Sequence, residues 1–298
     1  MSKLSVAIVI TNYNTWELTQ RCVRSCYIHD EGHFDTLVVY DDCSRTEFDG
    51  SFPDSTRLYR GSPNIGLTKA LNIAFGLVSE DIVILFDSDA YPTTPFCRDV
   101  KQMFAIDPSL GLIGFRTIGR TGNATESYTS EPNIWSLLLG QAVYAKMERW
   151  LADKSERRSV FTCAMAVRKV AFLELNGFDE NFDWLDLDHD FSMRMNRSHW
   201  RVELAPGPRI FHEGGGTPQL TRNRVLRFYK SRWHLLLKFH RLPVKRLVKV
   251  LILLRLCAEY VVLLGLGSLL IRNKVAREDK IQGRRELIEF CFGNYRTS

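Results

Sequence analysis

From Leu4 to Phe115 the chain alternates between two hydrophobic periods, and this alternation limits its folds more than any other feature. Leu4–Thr11 (LSVAIVIT) is an apolar, β-branched run of the kind a strand buried on both faces carries. Trp16–Tyr27 places Leu18, Cys22, Val23, Cys26 and Tyr27 at helical spacing. Thr36–Tyr40 (TLVVY) reads as a strand and Leu67–Val78 as a helix. Asp81–Phe86 (DIVILF) reads as a strand, Pro95–Ile106 as a helix and Leu110–Phe115 as a strand. Strand–helix succession of this kind predicts βαβ units: an α/β fold with a parallel sheet and helices on both faces. Ligands of such sheets bind beyond the carboxyl ends of the strands, so the chemistry is expected there.

The pattern loosens after the fourth strand. Residues 117–159 are rich in Gly, Thr, Ser and Asn at first, then helical around Ile134–Ala152, and read as an insertion or lid. Val160–Val167 resumes as a strand, with a short helix to Asn176 and a turn at Gly177. Asp188–Ser198 looks helical and Trp200–Leu204 strand-like. Ile210–Phe211 ends at His212, ahead of a Gly214–Gly216 loop that is either a turn or a mobile closure. There are no internal repeats and no low-complexity segment.

The formal net charge of +6 conceals an asymmetry: residues 1–220 carry −7 and residues 221–298 carry +13. Between Thr221 and Ala258 there are 11 Lys/Arg and no acid, interleaved with Leu, Val, Phe, Tyr and Trp. This is the pattern of basic amphipathic helices, and it predicts contact between residues 221–271 and an anionic membrane surface. The longest uncharged apolar run, Tyr260–Ile271, has twelve residues, short of the roughly 20 a spanning helix needs. No nucleic-acid partner is expected, because the usual binding motifs are absent. The start, Met1-Ser2-Lys3-Leu4, lacks a signal-peptide region, and the seven scattered cysteines complete no zinc pattern. Both point to a cytoplasmic body with buried thiols, peripheral on the inner face of the cell membrane.

The strand ends carry the candidate residues. Asp81–Phe86 runs into Asp87-Ser88-Asp89, two carboxylates able to turn toward one hard cation such as Mn²⁺ or Mg²⁺. The second strand ends in Asp41-Asp42-Cys43-Ser44, where an acid can accept from a ribose hydroxyl or a base N–H. The first ends in Thr11-Asn12-Tyr13-Asn14, polar groups around an aromatic that can stack on a base. Asn64-Ile65-Gly66 precedes a helix bearing Lys69 and Asn72, a place for diphosphate contacts. Each alone is explained by turn chemistry, but in succession they outline a nucleotide site. Further on come Gly177-Phe178-Asp179-Glu180 and then Asp183, Asp186, Asp188 and Asp190. A calcium loop is excluded, since its Gly and Glu positions hold Phe191 and Arg197. These acids are helix caps, or they supply a general base opposite the metal.

This order of motifs, from Thr-x-Tyr-Asn to a late His-x-Gly-Gly, resembles the family-2 inverting glycosyltransferases with the GT-A fold, especially their rhamnosyltransferase-like bacterial branch. The resemblance covers roughly residues 4–240. It implies a GT-A-type, Rossmann-like nucleotide-binding sheet in a catalytic domain over 1–220, with a donor half to about 116, an acceptor half over about 160–220, and the basic helical region 221–298 appended. It implies transfer of a sugar from a nucleotide-sugar donor to a glycan or lipid-linked glycan acceptor, in cell-surface polysaccharide or glycolipid assembly. Asp41 would contact the base, with Thr11, Tyr13, Asn14, Asn64, Gly66 and Lys69 around the donor; Asp87 and Ser88 would meet the diphosphate; Asp87, Asp89 and His212 would hold the metal. Asp188 falls where the family's base lies, in a Glu-Asp pair whose Glu is here Leu187, so Asp186 and Asp190 stay in contention. A nucleotidyltransferase is disfavoured by the lack of a Gly-rich, basic triphosphate loop after the first strand. A non-catalytic sugar-binding protein is disfavoured by the intact Asp-x-Asp.

Overall fold

The computed structural model describes residues 4–125, 127–140, 143–147, 157–214 and 221–292. It divides into two compact units, Met1–Glu131 with Leu151–Gly216, and Pro132–Trp150 with Thr217–Ser298.

The first unit is built on strands β1 (Val6–Asn12), β2 (Thr36–Asp41), β3 (Thr56–Arg60), β4 (Ile82–Asp87), β5 (Ala90–Pro92), β6 (Leu110–Ile118), β10 (Ala164–Arg168) and β11 (Arg201–His212). Among the described residues they form one sheet in the order β3-β2-β1-β4-β10-β6-β11-β5, with β7 (Ala124–Thr125) pairing on β6. A small hairpin joins β8 (Tyr128–Ser130) to β9 (Arg158–Val160). β1, β2 and β4 are apolar on both faces because helices cover both. Val6, Ile8 and Ile10 face Cys22, Val23 and Cys26 of α1 (Trp16–Asp30), in a core shared with Val100 and Phe104 of α3 (Cys97–Ile106). On the other side α2 (Leu67–Gly76) buries Ala70, Leu71, Ala74 and Phe75. Phe75 stacks on Phe172 of α5 (Lys169–Glu174), centroids 4.4 Å apart, and meets Phe178 edge-on. Phe178 in turn packs on Phe191 of α6 (Leu187–Met195).

The sheet is mainly parallel, not wholly so. β10 runs antiparallel to both β4 and β6, and β5 antiparallel to β11. The reversal matters for the site, because β10 starts at the edge where β4 ends: Cys163 O accepts from Asp87 N–H at 3.1 Å. β3 was not expected. Its residues, TRLYR, are mostly exposed, so this edge strand lacks the apolar signal of the buried ones. The segments read as Trp200–Leu204 and Ile210–Phe211 are one strand, β11, with irregular register between Leu204 and Arg209.

The second unit contains α4 (Trp135–Leu138), α7 (Thr221–Lys238), α8 (Lys245–Leu270) and α9 (Lys274–Phe292). Residues 141–142 and 148–152 of the expected helix Ile134–Ala152, and Gly215 and Gly216 of the expected loop, lie outside the described residues. Arg255 of α8 pairs with Glu259 at 2.7 Å and donates to Tyr229 Oη of α7, and Glu259 accepts from Arg284 of α9 at 2.7 Å. These contacts tie the inner side of α8 to both neighbours. No helix among the described residues is long and apolar enough to cross a membrane. All seven cysteines are unpaired, five of them buried.

Candidate active site

Parallel register brings the acidic strand ends together. Asn12 of β1 stands opposite Asp41 of β2, and Thr11 opposite Asp87 of β4. Asp41 is fully buried. Its carboxylate accepts from Asn12 Nδ2 at 2.7 Å, from the Ser44 hydroxyl, and from Ser44 N–H at 3.1 Å, with Arg60 Nε at 3.3 Å. These four donors meet its acceptor capacity, so any ligand read by Asp41 must displace one of them. Arg60, the half-exposed member, also donates to Ser44 O at 2.7 Å, and it is the most exposed of the Asp41 partners. Asn14 N–H donates to Ser44 Oγ at 2.7 Å, and Asn14 Oδ1 accepts from Arg45 N–H. This pins the β1 end and leaves Tyr13 exposed beside it.

Asp42 has a different task. Its carboxylate accepts from Asn64 Nδ2 at 2.8 Å, Ile65 N–H at 2.9 Å and Gly66 N–H at 2.9 Å. The loop before α2 is therefore held by Asp42, and the Ile65 and Gly66 N–H groups point at this carboxylate. Gly66 has φ +88, and its carbonyl accepts from Ala70 N–H to start the helix. Lys69 is exposed one turn along. Asn72 donates to Phe178 O and accepts from Phe178 N–H, both at 2.9 Å, and so fastens the Gly177-Phe178 turn to α2.

Asp87, Asp89 and His212 form the one candidate metal group among the described residues, their ligand atoms all within 4.8 Å of one another. β5 and β11 create it, since His212 lies opposite Ala90 in antiparallel register. Burial and the Asp89 charge push Asp87 up to about 6, with the His212 charge opposing. Burial also acts to raise Asp89, but the His212 hydrogen bond and charge and backbone N–H groups outweigh it, so Asp89 falls below the ordinary range. His212, 3.5 Å from Asp89 Oδ1, is raised by that hydrogen bond against the effect of burial. Two crowded carboxylates and an imidazole are a donor set suited to Mn²⁺ or Mg²⁺, and a cation would relieve the repulsion that raises Asp87.

Asp186, Asp188 and Asp190 separate on packing. Asp190 is fully buried and bound to Arg194 Nε at 2.8 Å. Asp186 is buried in left-handed backbone (φ 63) at the start of α6, where its carbonyl accepts from Asp190 N–H. Asp188 is half-buried, and its Oδ1 accepts from His189 N–H at 2.8 Å. Burial raises the Cys163 thiol, and the charges of Asp87, Asp188 and Asp89 add to it. Cys163, whose carbonyl takes the Asp87 N–H, thus feels the charges of both the metal group and Asp188.

Residues 7–175, more than half of the chain, match the model for glycosyl transferase family 2. The chain belongs to glycosyl transferase family 2. No curated protein matches its sequence. Its fold, GT-A, is similar to that of GalNAc-T7, solved with UDP, GalNAc and Mn²⁺. That likeness has 15% identity and a TM-score of 0.53, over 76% of this chain and 48% of that one. This family 2 chain thus spans about half the length of the GalNAc-T7 chain. A mannosyltransferase from Pyrobaculum calidifontis, in complex with GDP-Man and Mn²⁺, has a TM-score of 0.58 at 15% identity, covering 98% and 89% of the two chains. S. aureus TarS with UDP-GlcNAc has 0.54 at 14%, covering 94% and 79%. At such identities the likenesses show the fold.

Two features of this family 2 member escape a reading of its motifs. Thr15 Oγ1 lies 3.0 Å from Asn12 Oδ1 and 2.9 Å from Ser88 Oγ, so a hydrogen-bonded path joins Asp41 to the Asp87-Ser88-Asp89 turn. Glu213, next to His212, is bracketed by Arg21 and Arg120, whose hydrogen bonds hold it below the ordinary carboxyl range. Thr15 was legible as a polar residue entering a helix; the Glu213 partners, 192 and 93 residues away, were not.

Proposed function

We propose that this chain transfers a sugar of the hexosyl or deoxyhexosyl class from a nucleoside-diphosphate sugar to an acceptor hydroxyl, with inversion. The observation that carries the reading is the Asp87–Asp89–His212 group at the carboxyl end of β4, one strand from the Asp41 end of the sheet and sharing Cys163 with Asp188. The nucleotide lies over the ends of β1 and β2. Tyr13 stacks on the base, and Thr11 and Asn14 line the pocket. Asp41 reads the base as Arg60 swings aside. Asn64 and Gly66, held by Asp42, form the wall, and Lys69 and Ser88 meet the diphosphate.

Asp87, Asp89 and His212 would hold Mn²⁺ or Mg²⁺, which supplies charge stabilisation to the departing diphosphate. Asp188 accepts the proton of the acceptor hydroxyl as its oxygen bonds to the anomeric carbon. The bond from that carbon to the phosphate oxygen breaks, and its electron pair leaves with the nucleoside diphosphate. Half-burial favours Asp188 over its neighbours, because Asp190 is committed to Arg194 and Asp186 is buried at the helix start. The basic 221–298 region supports an acceptor presented at an anionic membrane, a lipid-linked glycan of surface polysaccharide or glycolipid assembly. We assign residues 1–220 to catalysis and the remainder to this attachment.

The test is a panel of nucleotide sugars with Mn²⁺ or Mg²⁺, then with EDTA, measuring nucleoside diphosphate release. Release from one donor, abolished by EDTA, is expected. No release from any donor, with lipid and glycan acceptors present, would sink the proposal.

A further inference from the structure

Helix α8 is apolar on two opposite sides. Val248, Ile252, Leu256 and Gly267 form a buried stripe at helical spacing. The opposite stripe, Leu247, Val250, Leu251, Leu254, Val261 and Leu269, is exposed and carries no charge. An exposed helix face is ordinarily polar, so an apolar one indicates a partner. From Leu247 to Leu269 the stripe runs about 33 Å. At a width on the order of 10 Å it reaches roughly 300 Å², the size of the largest patches on soluble monomers.

Charge identifies the partner. Lys245, Arg246 and Lys249 lie at the start of α8, and Arg272 and Lys274 follow its end. No acid occurs between Thr221 and Ala258. A second copy of the chain, paired parallel or antiparallel on this stripe, would set basic ends against basic ends. An anionic bilayer satisfies both parts: acyl chains take the leucines and valines, and lipid phosphates take the flanking cations. Arg255 and Glu259 tie the opposite side of α8 inward to α7 and α9, so up to Glu259 the helix offers one face only; beyond it Leu264, Leu266 and Leu270 are exposed as well and extend the apolar surface.

We infer that α8 is a monotopic membrane anchor, lying in the plane of an anionic bilayer with the Leu247–Leu269 stripe in the headgroup–acyl boundary. The inference rests on the membrane-surface reading above and gives it a surface. The test is co-sedimentation of the full chain with vesicles of phosphatidylcholine, alone or mixed with phosphatidylglycerol. Binding to the mixed vesicles alone is expected. Leu254→Asp with Val261→Asp should lower partitioning at least about tenfold, and Arg246→Gln with Lys249→Gln roughly tenfold with a flatter salt dependence. If the aspartate pair lowers the melting temperature, Leu254→Ser with Val261→Ser carries the same comparison. Equal partitioning of wild type and variants, or no binding by the wild type, overturns the inference. So does a wild-type dimer in solution that the aspartate pair converts to monomer, which would give the stripe to a second copy. Nucleoside diphosphate release, measured in detergent-free solution on the same proteins, stays unchanged in the variants. Its absence from the wild type would strike the transferase reading and leave the anchor standing.

Discussion

Asp87→Asn should make the metal-free protein more stable than wild type, and bound metal should close most of that gap. Asp87 is driven from 3.8 to about 6 by burial and by the neighbouring Asp89 carboxylate. A two-unit rise corresponds to roughly 3 kcal/mol of disfavoured ionisation. The sign follows from which state holds the proton. Below about pH 4 the carboxyl is protonated whether the chain is folded or not, and asparagine changes little. As pH rises through about 6, the unfolded chain has already lost this proton and the folded chain loses it at a cost. The gap between variant and wild type therefore opens from pH 4 and is complete above pH 6, at up to about 3 kcal/mol. For a chain of this length that is on the order of 5–10 °C in melting temperature. A metal bound at about 100 times its dissociation constant returns roughly 2.7 kcal/mol to the wild type and much less to the variant. The assay is a melting series from about pH 4.5 to pH 8, with EDTA and with Mn²⁺. A variant less stable than wild type at pH 8 in EDTA, or a gap independent of pH, would refute the account of Asp87. Equal Mn²⁺ stabilisation of both proteins would remove it from the metal group.

Asp188→Asn should lower the transfer rate by about 10² to 10⁴ while leaving donor binding by calorimetry and the melting temperature nearly unchanged. Asp190→Asn should do the reverse, unfolding the chain by about 3 kcal/mol more easily because it strands Arg194, whose partner is fully buried. His212 is raised by its hydrogen bond to Asp89, and only neutral imidazole ligates, so Mn²⁺ affinity should be weaker at about pH 6 than at pH 8. His212→Gln should flatten that titration. Gly177→Ala should destabilise by about 1–3 kcal/mol in chemical denaturation: φ is +66, and the new Cβ would stand 2.8 Å from Asn72 Oδ1.

Where a strand is buried on both faces, its apolar run suffices to find it, and β1, β2, β4 and β6 lie within a few residues of their expected positions. β3 was hidden because an exposed edge strand has no periodicity to display. The reversal of β10 was hidden for another reason, since direction depends on where the preceding segment delivers the chain, and an apolar run reads the same both ways. The metal group straddles this boundary. Asp87 and Asp89 announce themselves as a pair after a strand, but His212 joins them only through the β5–β11 pairing. The adjacent acids Asp41 and Asp42 mark the limit more sharply. Both follow a buried strand, yet one is spent on Asn12, Ser44 and Arg60 and the other on the Asn64–Gly66 loop. Composition locates such carboxylates; their partners decide how much acceptor capacity remains for a ligand.

Helical geometry and burial distinguish Asp186, Asp188 and Asp190 from one another. Residues four apart share a face, and residues two apart do not. Asp190 and Arg194 are four apart and form the inward ion pair. Asp186 precedes Asp190 by the same interval, joined by the Asp190 N–H bond to the Asp186 carbonyl. Asp186, in left-handed backbone ahead of the helix, and Asp190 are both buried, whereas Asp188 is half-buried. Leu187 is fully buried, so the position where the family carries Glu here fills the core. The departure at 187 therefore removes an acid from a packed place and leaves Asp188, the half-buried member, on the side where its charge reaches Cys163 together with those of Asp87 and Asp89. Of the three acids only Asp188 is not buried, which is why the proposed base is placed there.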